Sequence, residues 1–363
     1  MGLMNDSLGT FLKSASEAAH SGKPARIFLG NEASDLDSMA SSILFAWSKG
    51  AESNGLPNIP VMNIPREDFN LRTEALWLFS EAGIDLKSLV FLDEIDLAKL
   101  LGNAASKLVL VDHNKLSNSQ AIWESKVEEI LDHHADENLY PAAKKTLAPV
   151  GSASTLVSEL LLASGTELPP AVAKLALGTI LLDTVNLDPE AKRVTPRDTA
   201  VASKLLPVSG ADQKVLFDRL QLEKFNVAAL SSRDILRKDY KEFRMGSVIC
   251  GMSSALLPFA DWFKKDAQIE AAFTAFAAAQ KLDVLIVMGA YTAPEFTREM
   301  AVYSTNAGLR SRLVLFMNES GLALSPLHAD GLPSGNTEYF SQGDLSQSRK
   351  KLQPLLSAFL QNA

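Results

Sequence analysis

Cysteine is nearly absent from this chain of 363 residues. Cys250 stands alone, so no disulfide framework, zinc ribbon or Cys-x-x-Cys redox pair forms within it. Long apolar runs are missing as well. None approaches the roughly eighteen residues that cross a bilayer, which argues against an integral membrane protein. The N-terminus lacks a basic stretch followed by an apolar core, the pattern of an export signal. It opens Met1-Gly2, but Asp6 stands where a myristoylation signal calls for Ser or Thr. A cytoplasmic setting is the expectation, with no membrane partner. Excess positive charge is also lacking: Lys+Arg number 35 against 43 Asp+Glu, a net of −8, which speaks against generic nucleic-acid binding. No internal repeat or low-complexity tract interrupts the chain.

What remains is an ordinary globular composition, 47% hydrophobic and 21% charged. Its length exceeds what one hydrophobic core usually supports, so two domains are expected. Charge divides unevenly between the halves. Residues 1–210 hold 18 Lys+Arg against 27 Asp+Glu, and residues 211–363 hold 17 against 16. An acidic first half facing a near-neutral second half suits carboxylates that hold metal ions and basic groups that hold an anion, although ordinary variation between domains gives the same numbers.

Helical spacing of Leu8, Phe11, Leu12, Ala15, Ala18 and Ala19 predicts an opening amphipathic helix. Strands are then expected at Arg26–Leu29 and near Val61–Ile64, Leu89–Leu92, Leu108–Val111 and Glu129–Leu131, with helices between several of them. That alternation predicts an α/β fold with a mainly parallel sheet flanked by helices. Helices are expected after Gly151, over Ala171–Leu182 and over Val215–Leu222, and a last one runs from about Ser346 to Leu360. The Pro-, Ser- and Gly-containing stretch 206–214 reads as a linker between a domain at 1–205 and a second α/β domain at 215–363. Strand candidates in the latter are Val248–Met252, Val284–Met288 and Leu313–Phe316.

Four segments carry the chemistry. They are Gly30-Asn31-Glu32-Ala33-Ser34-Asp35-Leu36-Asp37, Leu110-Val111-Asp112-His113-Asn114, Leu131-Asp132-His133-His134 and Leu181-Leu182-Asp183-Thr184. Each sets acidic or imidazole groups just past an apolar strand or helix, the edge at which open parallel sheets bind ligands. Singly, each has a plain reading: Asp35 or Asp37 as a helix cap, a lone His as a hydrogen-bonded structural residue. Together they do not, because three of the five histidines gather in two strand-end segments beside Asp. Carboxylates and imidazoles without thiols suit Mg²⁺, Mn²⁺ or Co²⁺. Two divalent cations would neutralise such a nest and support phosphoryl transfer without a Ser or Cys nucleophile.

Asp132-His133-His134 resembles the signature of the DHH phosphoesterases, and the other three segments resemble its companion motifs in order and spacing. Asp239-Tyr240-Lys241-Glu242-Phe243 is similar to the Asp-x-Lys-x-Phe element of the DHHA2 domain. Ser348-Arg349-Lys350-Lys351 is similar to that domain's Ser-Arg-Lys motif. The resemblance covers roughly residues 25–360. The other DHH branch uses a Gly-rich substrate motif, and this chain has no Gly-Gly pair. Within the DHHA2 branch, Asn31 stands where family II pyrophosphatases have His, as it does in yeast-type exopolyphosphatases. The segments Ile64–Arg72 and Ile235–Lys241 also resemble the exopolyphosphatase and prune side.

The resemblance implies two α/β domains with the active site in the cleft between them. Asp35, Asp37, Asp112, His133 and Asp183 would ligate two divalent metal ions, Mg²⁺ or Mn²⁺ with Co²⁺ an option. Asn31 would lie at a weakened ligand position. His134 would face the phosphate, Asp132 would orient the histidines, and His113 would sit behind Asp112 or be structural. Lys241, Arg349 and Lys350 would grip the substrate. Arg66 and Arg72, with Arg237, Lys238 and Arg298, are candidates for a basic track, ordinary surface charge being the alternative. Residues 151–155 offer helix-start amides to an anion or merely cap the helix. The implied reaction is release of terminal phosphate from inorganic polyphosphate by a metal-bound hydroxide, carried out by a monomer. An inorganic pyrophosphatase, a prune-like nucleotide phosphodiesterase and a non-catalytic metal-binding scaffold are the alternatives.

Overall fold

The computed structural model describes residues 8–50, 55–165, 167–292, 295–328, 332 and 335–361. Met1, Gly2 and Asp6, which bear on a lipidation signal, lie outside the described residues. The chain forms two compact units, Met1–Asn226 and Val227–Ala363.

In the first unit, β1 (Arg26–Leu29), β2 (Asn58–Met62), β3 (Val90–Phe91), β4 (Lys107–Val111), β5 (Val127–Asp132) and β6 (Lys144–Leu147) form one sheet in the order β3-β2-β1-β4-β5-β6. Every pairing in it is parallel. Apolar cores cover both faces of its centre, which is why β1, β2 and β4 read as largely apolar runs, whereas the edge strand β6, Lys-Lys-Thr-Leu, does not. Phe28, Val109 and Leu131 face a core built with the helices Leu36–Ser48, Ala153–Ala163 and Pro170–Asp183. Ile27, Leu29, Leu108 and Leu110 face Ala19, Leu97 and Leu101. The strand order reverses between β1 and β4, and a crevice opens at such a switch point beyond the carboxyl ends of the strands.

The stretch read as a linker is not one. Leu206–Ser209 completes the helix Pro196–Ser209, which Gly210 ends in a left-handed conformation at φ 66°. The helix Gln213–Lys224 then buries Leu216 and Leu220 against the helices Thr73–Glu81 and Pro170–Asp183. A breaker-rich sequence signals a helix end, and the apolar face that follows decides which unit the next helix joins.

The second unit holds β7 (Tyr240–Met245), β8 (Val248–Ala255), β9 (Val284–Thr292), β10 (Phe296–Tyr303), β11 (Leu324–Pro326) and β12 (Thr337–Gln342), ordered β11-β12-β10-β9-β8-β7. β8 and β9 pair in parallel and the other pairs are antiparallel. One face packs on Phe259, Trp262 and Phe273, the other on Leu313, Leu352 and Leu356. Leu313–Phe316, expected as a strand, lies inside the helix Ala307–Met317. There Leu309, Leu313 and Met317 are buried at four-residue spacing, a helical period that a short apolar run conceals. Among the described residues, no helix is long and apolar enough to cross a membrane.

Candidate metal centre

Parallel register carries the motif segments to one place. Leu29 is level with Leu110, and Val111 with Leu131, so the chain leaves β1, β4 and β5 side by side at the switch point. Asp35 caps the helix Leu36–Ser48, accepting from the Ser38 amide at 3.1 Å, and Asp37 lies in its first turn. Asp112 adopts a left-handed backbone, φ 62°, which Asp tolerates better than most residues. Asp183 is the last residue of the helix Pro170–Asp183. A carboxylate at that negative end of the helix dipole opposes local stability. Together with Asn31, His133 and His134, these residues line a cavity of about 520 Å³.

Asp37 is buried, and its carboxylate accepts three hydrogen bonds on Oδ1 and one on Oδ2. It accepts from Ser41 Oγ at 2.9 Å, Ser152 Oγ at 2.7 Å and the amides of Ala153 and Ser154 at 2.6 and 3.0 Å. The helix start at residues 151–155 thus does bind an anion, and that anion is Asp37. Its amides at Ala153 and Ser154 are not open to substrate, and of the two readings of 151–155 the capped helix start is the one observed.

His133 donates through Nδ1 to the Val150 carbonyl at 2.8 Å. This leaves Nε2 as the ring nitrogen that faces the cluster, 3.2 Å from Asp112 Oδ1 and 3.8 Å from Asp37 Oδ2, where it carries a proton in the metal-free protein and would give it up to ligate. Asp112 Oδ1 and Asp183 Oδ2 are buried and have no hydrogen-bond partner among the described residues. Asp132 is fully buried. Its Oδ1 accepts from the His133 and His134 amides and from His134 Nδ1 at 2.8 Å, and its Oδ2 from Asn114 at 2.5 Å. His134 is thereby turned so that Nε2 is the end left open.

The protonation balance follows from this crowding. Burial, reinforced by Asp37, raises the Asp112 carboxyl to about 7. Burial, with Asp37, Asp35 and Asp112 adding to it, holds Asp183 well above the ordinary carboxylate range. Burial also raises Asp37. For His133, burial disfavours the cation, but Asp112 and Asp37 outweigh it and raise the imidazole to about 10. A cluster that pushes its own carboxyls toward neutrality is short of positive charge. The buried oxygens of Asp112 and Asp183 and one oriented imidazole nitrogen fit a divalent cation with oxygen and nitrogen ligands.

Other expected residues are placed differently. Asn31 donates through Nδ2 to Asp112 Oδ2 at 2.7 Å, and its Oδ1 accepts from the Ala33 and Ser34 amides at 2.9 and 3.1 Å. Its only lone-pair-bearing atom therefore serves its own loop, and Asn31 acts as a donor to Asp112 rather than as a ligand. Arg66 pairs with Glu94, bonds the Leu86 and Leu89 carbonyls and covers the Phe91 ring. These structural contacts displace it from the substrate role. Arg72 bonds the Ser34 and Ala33 carbonyls at 3.1 and 2.7 Å; it holds the loop between Asn31 and Asp35 and so positions a candidate ligand. His113 bonds the Val111 carbonyl at 3.0 Å and lines a separate cavity with Asn63 and Gln120. Arg237 pairs with Asp234, and Arg298 bonds the Leu345 carbonyl.

In the second unit, Asp239 immediately precedes β7 and binds Arg349 through its carbonyl and Oδ1, both at 2.6 Å. Arg349 opens the helix Arg349–Gln361, with Lys350 next to it, and Lys350 and Lys241 are exposed. Sequence reading overlooked three residues of the first unit. Lys192 and Arg193 line the cavity beside the carboxylates. Asp198 is buried and accepts from the amide of Gly151 and from both the amide and hydroxyl of Thr195. The available signal for Asp198 was the capping-box pattern Thr195-Pro196-Arg197-Asp198.

Comparison with known proteins assigns a family to both parts of the chain. Residues 27–180 match the model of the DHH family, N-terminal domain, and residues 218–359 match the DHHA2 domain. The mouse protein named exopolyphosphatase PRUNE1 is 34% identical over 97% of this chain and 80% of its own length. A Schizosaccharomyces pombe protein provisionally named an exopolyphosphatase is 31% identical over 90% of this chain and 88% of its own. A manganese-dependent inorganic pyrophosphatase of Methanothrix thermoacetophila is 24% identical over 70% of this chain and 77% of its own. The chain belongs to the DHH phosphoesterase family, in the branch whose DHH domain is followed by a DHHA2 domain.

Proposed function

We propose that this chain is an exopolyphosphatase, a hydrolase that removes terminal phosphate from inorganic polyphosphate with the help of two divalent cations. The observation that carries the reading is the cluster of buried carboxylates around Asp183 Oδ2, which has no hydrogen-bond partner among the described residues, and Asp112 Oδ1, which faces the oriented Nε2 of His133. Asp35, Asp37, Asp112, His133 and Asp183 would hold the ions. When bound, divalent cations supply the charge that activates a water and offsets the developing charge on phosphoanhydride oxygens.

The chain's own groups divide the remaining work. Asp37, tied to the helix start at Ala153 and Ser154, fixes the floor of the cavity. His134, its Nδ1 held by Asp132, presents Nε2 as a donor to a phosphate oxygen. Its proton is retained to higher pH than an ordinary imidazole's because Asp132 bonds it. The reading assigns Lys241, Arg349 and Lys350 of the second unit to the leaving polyphosphate, where Arg offers a planar fork and Lys a compact charge. Every residue it uses comes from one chain, so a monomer suffices. With Asn31 facing Asp112 as a donor, oxygen ligands outnumber nitrogen, which favours Mg²⁺ alongside Mn²⁺.

Similarity over nearly the whole chain to a protein named exopolyphosphatase ranks polyphosphate above pyrophosphate, which the more distant pyrophosphatase relative keeps as the second reading. Phosphate release from pyrophosphate, tripolyphosphate, long-chain polyphosphate and a cyclic nucleotide, in Mg²⁺ and then in Mn²⁺, decides between them. Turnover of tri- and long-chain polyphosphate is expected. Rapid turnover of pyrophosphate alone would reverse the ranking.

A further inference from the structure

We propose that Lys192 and Arg193 form an anion subsite on the first unit that takes a phosphate group of the substrate chain, an inference that rests on the phosphoanhydride reading above. Both residues line the cavity that holds Asp35, Asp37, Asp112 and Asp183. Both are exposed, and neither side chain has a hydrogen-bond or ion-pair partner among the described residues. Attraction to four nearby carboxylates would ordinarily draw such cations into ion pairs. They stand at the rim instead, available to an anion that the metal-loaded carboxylates would themselves attract.

The backbone holds them there firmly. The Arg193 carbonyl oxygen lies 2.5 Å from where a Cβ on Gly151 would sit, so the approach needs glycine at that turn. Asp198 staples the same two segments. It accepts from the Gly151 amide at 2.9 Å, from Thr155 Oγ1 at 2.6 Å and from the Thr195 amide and hydroxyl at 2.7 Å each. Between Asp183 and this staple the chain takes left-handed conformations at Val185, Asn186, Leu187 and Lys192, with φ of 52°, 59°, 63° and 54°. Such residues persist only where surrounding contacts over-determine them, and for β-branched Val185 the conformation is a clear outlier. A segment stapled and strained into one course delivers its side chains to a fixed place. Guanidinium beside ammonium suits the several oxygens of a phosphate group. These cations belong to the unit that carries the metal ligands, so the first unit would itself recognise part of the substrate.

The test uses the full chain with Lys192→Gln, Arg193→Gln and the double substitution. Steady-state kinetics on tripolyphosphate and on long-chain polyphosphate run beside calorimetric titration with orthophosphate and with Mg²⁺. Each single variant is expected to raise KM about tenfold or more, the loss typical of a charge-assisted hydrogen bond. The expected kcat stays within about threefold, orthophosphate binds more weakly, and Mg²⁺ binds as tightly as before or more so, because neighbouring positive charge is gone. Lys192→Arg should restore most of the KM. An active wild type whose double variant keeps KM within about twofold overturns the subsite alone, as does a loss explained by weaker Mg²⁺ binding. A wild type that releases no phosphate from any phosphoanhydride overturns the functional reading instead. The orthophosphate titration then judges the subsite by itself: weaker binding in the double variant supports it, and unchanged binding ends it.

Discussion

The amide nitrogen of Asn31 donates to Asp112 Oδ2 at 2.7 Å, while its oxygen is occupied by the amides of its own loop. Asn31 therefore braces one candidate ligand, and it shapes the loop that leads to another, Asp35. Replacement by His exchanges this brace for an imidazole that is able to ligate. Metal-stripped Asn31→His is expected to bind Mn²⁺ about tenfold more tightly and to gain on Mg²⁺ less, because nitrogen is the softer donor. Titration calorimetry of both proteins with each ion reads this directly. An unchanged Mn²⁺-to-Mg²⁺ affinity ratio would show that the position does not face the ions at all.

The acidic cluster predicts how the metal-free protein responds to pH. Asp112 titrates near 7 when folded, against about 4 for an ordinary Asp, so the folded state binds more protons than the unfolded between those values. Stability contributed there falls as pH rises through that window. His133 is raised to about 10, so its contribution is complete below about 6.5 and disappears as pH climbs toward 10. Both effects carry the same sign. In chelator, Tm should fall steadily from pH 5 to pH 9, by an amount reflecting a few kcal/mol. Saturating Mg²⁺ should flatten the slope by supplying the missing positive charge. A chelated protein whose Tm rises over this range would contradict the crowded-carboxylate account.

Arg72 illustrates what sequence does and does not disclose. Its charge near the motif segments suggested substrate, yet its guanidinium bonds the Ala33 and Ser34 carbonyls, and no residue pattern announces a bond to a backbone carbonyl. Five of the six strands in the first unit's sheet were legible because buried parallel strands read as apolar runs, while the edge strand β6 with its two lysines was not. Asp37, Asp112, His133 and Asp183 stood out because Asp and His at strand and helix ends are an unusual combination. Lys192 and Arg193 were not, because two exposed cations in a loop look like solvated surface until the Gly151 and Asp198 contacts show where that loop lies. The charge-rich strand β7 was missed for a related reason: Lys241, Glu242 and Arg244 are exposed, so no run of apolar residues marks it.

Arg72 also yields a prediction. Arg72→Met removes both loop bonds and is expected to weaken Mg²⁺ binding by roughly 10- to 100-fold, the usual cost of losing a group that orients a ligand. Saturating Mg²⁺ should return kcat and KM for tripolyphosphate close to wild type. A KM that stays elevated at saturating metal would place Arg72 in contact with substrate, as its charge alone had suggested.

The second unit offers a test in which stability and activity move in opposite directions. Arg349, Lys350 and Lys351 occupy the first turn of the helix Arg349–Gln361, with no acidic residue among them. Cations at that end oppose the helix dipole, at roughly 0.3–1 kcal/mol each. Asp239 offsets the charge of Arg349, whereas Lys350 is exposed at the positive terminus. Such placement is costly for folding and useful for holding an anion, because dipole and side chain then act together. Lys350→Glu should therefore raise stability to urea by about 0.5–1 kcal/mol while raising KM for tripolyphosphate more than tenfold. Lys350→Gln should give about half the stability gain and a smaller KM effect. Were both variants more stable and fully active, Lys350 would be a surface charge and the phosphate grip would have to come from elsewhere on the chain. Were both less stable, the dipole argument would fail, and the KM values would need correction for the unfolded fraction before they assigned a role.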